Sequence, residues 1–115
     1  FVRPQRFTHT LTEKADRVSL CFFGDGYRAE LGKIFGRMSG RDLDKAAEAG
    51  FHYTYLDGVP AFEEASLVLV CRKMYTDLIK EENFLDHEVD AKCYPAKDYH
   101  TVYICEVEKA YVKEV

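Results

Sequence analysis

Two arginines and a threonine near the start of the chain carry the chemical groups of a phosphate-binding site. They lie in Arg3–Thr8, sequence RPQRFT, where Pro4 closes a strand-like start and a helix is predicted from Thr8. The N–H groups at a helix N-terminus and the guanidinium of arginine both bind phosphate. The segment therefore suits a terminal phosphate group. From spacing alone, solvated arginines such as Arg6 beside an ordinary helix start are the favoured alternative.

A second cationic segment, Ser39–Lys45, has the sequence SGRDLDK. It predicts a glycine-containing turn that leads into a helix, with Arg41 and Lys45 near the helix start. Lysine is unusual there, because the first turn of a helix favours acidic side chains, and this indicates an anionic ligand. A turn between two helices capped by Asp42 explains the segment equally well, so both interpretations stay open.

His100 follows Asp98 and Tyr99, immediately before the last predicted strand. Because the pKa of histidine lies near neutrality, its ring can donate a hydrogen bond to an oxygen of a substrate or cofactor. A surface histidine in a loop is the favoured alternative on position alone. The sequence has no GxGxxG, P-loop or GxSxG motif, any of which would indicate a nucleotide site or a nucleophile directly.

The hydrophobic pattern predicts strands with short helices between them. Apolar alternation predicts strands at Arg17–Phe23, Glu64–Tyr75 and Thr101–Val112, and a weaker one at Phe51–Tyr55 that ends at Asp57-Gly58. Helices are predicted at Thr8–Ala15, Asp25–Met38, Leu43–Ala49 and Asp86–Ala91. In the last strand the apolar register shifts after Val107, which predicts a β-bulge. These elements favour an antiparallel α+β domain or a barrel with inserted helices.

Composition excludes several classes of protein. The chain has 115 residues, of which 47% are hydrophobic, so one small domain with a core is expected and disorder is excluded. A net charge of −4 argues against a nucleic-acid binder. The longest apolar run, Ser66–Cys71, is too short to span a membrane, and no signal peptide is visible. The chain opens in the strand-like segment Phe1–Arg3 without Met, and we expect a partner strand to be missing.

The cysteines and histidines predict neither a disulfide nor a metal site. Cys21, Cys71 and Cys105 lie in apolar, strand-like runs, where cysteine behaves as a small hydrophobe. This indicates free thiols in a reducing compartment, and hence a cytoplasmic protein. The four histidines are scattered, and none has the spacing of a zinc-binding helix.

In order and spacing, these segments resemble the flavin reductase-like family, whose members are FMN-binding split barrels. The resemblance covers essentially the whole chain. Its most specific part is Ser39–Lys45, which is similar to the SGRDxDK segment of the flavoredoxin-like branch. Phe1–Thr8 resembles the strand-to-helix segment that holds the FMN phosphate, and His100–Val107 resembles the closing strand. Cys105 stands where that strand usually has glycine.

The resemblance implies a fold and an activity. The fold is a single flavin reductase-like domain over residues 1–115, a mainly β split barrel with inserted short helices that lacks the N-terminal strands. The activity is the NAD(P)H-dependent reduction of flavin or of another electron acceptor by a homodimer with bound FMN. Two alternatives remain: a non-enzymatic electron carrier of the flavoredoxin type, and a truncated domain that binds no flavin and acts only as a dimeric scaffold.

The resemblance also implies roles for particular side chains. Those that would bind the cofactor or support its loop carry a positive charge or a hydroxyl group, and they are Arg3, Arg6, Thr8, Ser39, Arg41 and Lys45. The first three would hold the phosphate, Lys45 would place a charge near the flavin, and the other two would support that loop. His100 would lie on the nicotinamide side as the candidate catalytic residue.

Overall fold

Three long antiparallel strands form the central sheet of the structure, a computed structural model that describes residues 1–35 and 44–113. They are β1 (Arg17–Phe22), β4 (Leu67–Leu78) and β5 (Thr101–Val112), and β4 lies in the middle. Phe22, Leu67 and Val112 lie side by side across the three strands and set the register. A strand with two apolar faces suits the central position, because both of its faces can pack against other parts of the protein.

A hairpin of β2 (Tyr53–Leu56) and β3 (Val59–Phe62) forms a second, two-stranded antiparallel sheet. Asp57 and Gly58 make its turn, with φ of +53° and +77°, the positive values that a two-residue hairpin turn of this type requires. The sequence predicts a strand that ends at this turn and does not predict β3. The missed strand contains Pro60, which lacks an N–H donor. A two-stranded sheet tolerates this proline because β3 pairs there on one side only.

Replacing Gly58 with alanine should destabilise the protein by about 1–2 kcal/mol, which is the free-energy cost of placing an L-residue in the left-handed backbone conformation. A Cβ atom at this position meets no heavy atom within 4 Å, so the backbone conformation alone accounts for the loss. Gly24→Ala is the matched control, since Gly24 has equal free space but a φ of −70°. Urea unfolding measures both free energies, and equal stability of the two variants would contradict the expectation.

Short helices connect the strands. They are α1 (Phe7–Lys14), α2 (Arg28–Glu30), α3 (Lys45–Ala49) and α4 (His87–Cys93), with 3₁₀ turns at Asp25–Tyr27 and Glu81–Asn83 and a π-helical turn at Leu31–Phe35. The helix predicted at Asp25–Met38 is therefore divided into three short pieces, and its last three residues lie outside the described part of the chain. Gly26 and Gly32 fall within the predicted helix, and glycine weakens a helix interior.

Most other boundaries agree with the sequence. α1 and β1 lie within one residue of their predicted ends, β5 matches fully, and β4 lies three residues further along the chain than predicted. α4 begins one residue later and ends two residues later than predicted. In α3, Asp44 accepts hydrogen bonds from the N–H groups of Ala46 and Ala47, so Asp44 is the cap. The predicted start at Leu43 and the alternative cap Asp42 lie outside the described residues.

The predicted bulge in β5 is confirmed. Val70 lies opposite Lys109 and Cys71 opposite Val107, so Glu108 is the extra residue on β5. Glu108 accepts a hydrogen bond from Arg17 Nε at 2.6 Å and thereby links both edge strands across β4. A second shift, between Lys73 and Tyr75, bends β4 near its end.

The hairpin packs on one face of the central sheet and encloses the core. Val59 and Ala61 of β3 and Val68 and Val70 of β4 are all less than about a tenth exposed and lie in one cluster. Ser19 Oγ donates to the Pro60 carbonyl at 2.6 Å and ties β1 to β3. The described strands thus make two packed antiparallel sheets and no closed barrel.

α1 packs against the other face of the sheet. Lys73 lies three residues after Val70 on β4, and strand alternation places the two side chains on opposite faces. Lys73 Nζ donates to the Thr12 carbonyl at 2.5 Å and lies 5.3 Å from the centroid of the Tyr103 ring. His9 Nε2 lies 3.1 Å from Thr101 Oγ1. These contacts fix the start of α1 relative to the start of β5.

Within residues 1–35 and 44–113, no helix is long and apolar enough to cross a membrane. The same residues contain no group of three or more His, Cys, Asp or Glu side chains that could hold a metal ion. The cysteines are free thiols; Cys71 is buried, Cys93 is exposed, and Cys21 and Cys105 are half-buried. Three of them lie on β1, β4 and β5, as the sequence predicts.

Candidate functional site

The start of the chain lies against the start of β5. The Val2 N–H donates to the Thr101 carbonyl at 2.9 Å, and the Thr101 N–H donates to the Val2 carbonyl at 2.7 Å. The strand predicted at Phe1–Arg3 is therefore a single bridge. This bridge places Arg3 against the segment that precedes β5.

Three contacts hold Arg3. Its Nη1 donates to Asp98 Oδ2 at 2.5 Å, and its Nη2 donates to the Cys93 carbonyl at 3.0 Å. The guanidinium carbon lies 5.0 Å from the centroid of the Tyr94 ring, within cation–π range. Because a guanidinium has five N–H donors, these two hydrogen bonds leave donors for a further anion.

Asp98 binds both Arg3 and Gln5 where the start of the chain contacts the segment before β5, a region that we call the corner. Its side chain is 19% exposed, and its Oδ2 accepts hydrogen bonds from both Arg3 and Gln5. Its Oδ1 is buried and has no hydrogen-bond partner among the described residues. The hydrogen bonds from Gln5 and Arg3 favour the charged form and hold the pKa of Asp98 below its ordinary value.

This shift predicts a loss of stability in acid. A carboxyl group with a lowered pKa stabilises the fold above its ordinary pKa of about 4, and the contribution disappears as the pH falls through its lower folded-state pKa. Asp98→Asn should therefore flatten the decline in unfolding free energy between neutral pH and about pH 3. Asp25→Asn, at a fully exposed carboxylate, is the control. Equal pH profiles for Asp98→Asn and the parent protein would contradict the prediction.

His100 lies in the same corner. Its Nδ1 is 2.5 Å from the hydroxyl of Tyr94, and its carbonyl accepts a hydrogen bond from the Ile79 N–H at 3.1 Å. Burial and the charge of Arg3 lower the pKa of His100 below its ordinary value. The ring is therefore neutral at neutral pH and can donate from one nitrogen while accepting at the other.

Arg6 and Lys45 are near enough for their charges to act on one another, although 38 residues separate them in the sequence. Arg6 is the N-cap residue of α1, and Lys45 is the first residue of α3. Burial lowers the pKa of Lys45, and the charge of Arg6 lowers it further. The two cations lie near the start of α1, whose positive end adds to their charge, whereas the Asp44 carboxylate occupies the start of α3. We call Arg6 and Lys45 the cationic pair.

The other sequence-predicted residues divide into two groups. Thr8 lies in the first turn of α1, two residues after Arg6, and is exposed. Ser39 and Arg41 lie outside the described residues. The sequence did not single out Gln5, which lies within Arg3–Thr8 but is uncharged, or Tyr94, which belongs to no motif; the fold brings them to Asp98 and His100 respectively.

The fold and the site define the class of the protein: a mixed α+β protein of antiparallel sheets and short helices, of the split-barrel type. The family model described as the flavin reductase like domain matches residues 1–115. The chain therefore belongs to the flavin reductase-like family, as the resemblance indicates. A search of curated proteins found no match.

Solved structures support the fold. An FMN-binding protein from Thermus thermophilus, solved with bound p-hydroxybenzaldehyde, is 24% identical and superposes with a TM-score of 0.68 over 98% of this chain and 53% of that one. Flavoredoxin from Methanosarcina acetivorans is 20% identical, with a TM-score of 0.65 over 98% of this chain and 50% of that one. The chain thus spans about half the length of these structural neighbours.

Proposed function

We propose that this chain is an FMN-binding flavoprotein that takes up hydride from NAD(P)H and passes the electrons to flavin or another acceptor. The observation that carries the proposal is the cationic pair. The pKa of Lys45 is lowered because burial and the positive charge of Arg6 both disfavour its charged form. An anionic ligand would relieve both, and a phosphate group has the required charge.

The residues at hand fit a phosphomonoester. Arg6 would offer a bidentate guanidinium and Lys45 a point charge. Thr8 would add its hydroxyl and the N–H groups of the first turn of α1, whose cap residue makes no side-chain cap. Arg3 would offer donors not used by Asp98 and Cys93. We extend the proposal to Ser39 and Arg41, which precede α3 in the sequence, as supports for the placement of Lys45.

FMN, when bound, supplies the redox chemistry: it accepts two electrons as hydride and releases them singly or together. The chain supplies position and electrostatics. Neutral His100, in the corner next to Arg3, would donate to a carbonyl or carboxamide oxygen on the nicotinamide side. The free cysteines support a reducing compartment, and we propose the cytoplasm.

Two spectra test the proposal. Titration of the purified protein with FMN should quench the flavin fluorescence to saturation, and anaerobic NADH or NADPH should then bleach the visible flavin band. Bleaching that appears only after a separate reductase is added would support the electron carrier instead. A protein that binds no FMN at any accessible concentration would contradict the proposed function and favour the scaffold.

We also propose a homodimer. Leu20 and Phe22 of β1 are 49% and 47% exposed, and the register places them on the same sheet face as Val107 and Val112 of β5, which are 52% and 75% exposed. An apolar patch of this kind is typical of a protein interface. Light scattering of the parent protein and of Phe22→Glu tests the proposal; two monomers of equal mass would contradict it.

A further inference from the structure

Buried Tyr94 and half-buried His100 form a hydrogen-bonded pair. The Tyr94 hydroxyl lies 2.5 Å from His100 Nδ1, and the two rings meet edge to face with centroids 5.5 Å apart. Tyr94 is 8% exposed, although it lies in the short loop after α4. A residue buried this deeply in a loop has a fixed place in the structure.

The surroundings of Tyr94 hold its hydroxyl in place. The Tyr99 ring lies 4.7 Å away and the Phe84 ring 5.9 Å away, while the Arg3 guanidinium covers the face of the Tyr94 ring. Tyr99 is itself anchored, because its hydroxyl donates to Asp90 Oδ1 at 2.8 Å. The Tyr94 hydroxyl is therefore preorganised toward His100.

We propose that Tyr94 is the positioning residue for His100: its hydroxyl donates to Nδ1, selects the neutral tautomer with the proton on Nε2, and presents that N–H to a carbonyl oxygen of the ligand. A phenol is the better donor of the two, and the unprotonated imidazole nitrogen is the better acceptor. The identity of the ligand rests on the proposed function, but the pair and its tautomer do not.

The charges around His100 agree with this assignment. The titratable and charged side chains that act on the ring are Arg3, Asp98 and Tyr94. Burial and the charge of Arg3 lower the pKa of His100, and Asp98 opposes them. The ring stays neutral at neutral pH, which the hydrogen bond requires, because a protonated imidazole has no acceptor nitrogen.

The first test reads the tautomer without any ligand. Long-range ¹H–¹⁵N correlation spectra of the full-length, ¹⁵N-labelled protein should show an acceptor-type Nδ1 and a protonated Nε2 for His100. Tyr94→Phe keeps the aromatic ring and removes the hydroxyl donor. Both neutral tautomers of His100 should then be populated, and the apparent pKa of His100 should change. Tyr111→Phe, which removes a hydroxyl bonded to Asp57 at the opposite end of β5, should leave both properties unchanged.

A protonated Nδ1 in the parent protein would overturn the proposal, as would equal His100 spectra for the parent and Tyr94→Phe. The parent measurement needs no variant, so a poorly folded Tyr94→Phe protein does not prevent a decision. These outcomes do not depend on flavin, so failure of the proposed function is seen separately in the FMN titration.

The second test distinguishes the two carbonyl sources. If His100 faces the nicotinamide carboxamide, Tyr94→Phe should leave FMN affinity unchanged and slow anaerobic reduction by NADH about tenfold, the loss of one hydrogen bond. If it faces a flavin carbonyl, FMN affinity should fall by about the same factor. A variant that matches the parent in both measurements would show that the pair positions nothing for the ligand and would overturn the proposal.

Discussion

Replacing both Arg6 and Lys45 with alanine should weaken FMN binding by more than about a hundredfold. Each charged hydrogen bond to a phosphate contributes about 1.5–3 kcal/mol, which corresponds to roughly tenfold to hundredfold in affinity. The two side chains are coupled through their charges, so the double variant need not equal the sum of the single ones. Quenching of FMN fluorescence on titration measures the affinity.

Two controls isolate the phosphate contact. Riboflavin lacks the phosphate, so its affinity should be the same for the parent and the double variant. Lys14→Ala with Arg28→Ala removes the same net charge from two exposed positions and should leave FMN affinity unchanged. If the Arg6/Lys45 double variant and the Lys14/Arg28 double variant lose the same amount of FMN affinity, a general charge effect explains the result and the phosphate assignment is wrong.

Val70→Asp should abolish cooperative folding. Val70 is 1% exposed and lies in the cluster where the hairpin meets the central sheet. An aspartate there either stays protonated at a raised pKa or carries an unpaired charge, and burial of an unpaired ion costs several kcal/mol in addition to the lost apolar contacts. Because a domain of this size is stable by only about 5–15 kcal/mol, the loss is comparable with the whole stability.

Circular dichroism during urea titration measures this effect. Val89→Asp is the like-for-like control, since it is the same substitution at a valine of α4 that is 45% exposed and lies outside the apolar patch proposed as the dimer interface. The control should unfold cooperatively with a free energy within about 1 kcal/mol of the parent, as is usual for surface changes. A cooperative transition of near-parent stability in Val70→Asp would show that the core does not lie where the hairpin covers the sheet.

Much of the sheet follows from local pattern. β1 and β5 alternate apolar and polar residues over several positions, and β4 begins with a continuous apolar run that gives it two apolar faces. Patterns of this kind identify a strand without its distant partner. The bulge at Glu108 is predicted for the same reason, because the apolar residues change register along one strand. β3 is different: its Pro60 argues against a strand, and only its place in a two-stranded sheet makes proline acceptable.

The candidate site also combines residues that the local sequence identifies with contacts that it does not predict. Arg6 and Lys45 each precede or begin a predicted helix, so the sequence identifies both as candidates for an anion. It does not show that they act on one another, since that depends on how α1 and α3 are placed by the sheet. The contact between Arg3 and Asp98 joins residues 95 positions apart, and no local spacing encodes it.

The sequence by itself therefore determined the three strands of the central sheet, the helix starts with their cations, and the family to which the chain belongs. The tertiary structure decided which of these groups act on one another: the charge of Arg6 acts on Lys45, and the Tyr94 hydroxyl bonds to His100. The physical reason is the range of the interactions. Alternation and capping act within a few residues of the chain, whereas the partner of a side chain is set by strand register and by the docking of α1 on the sheet.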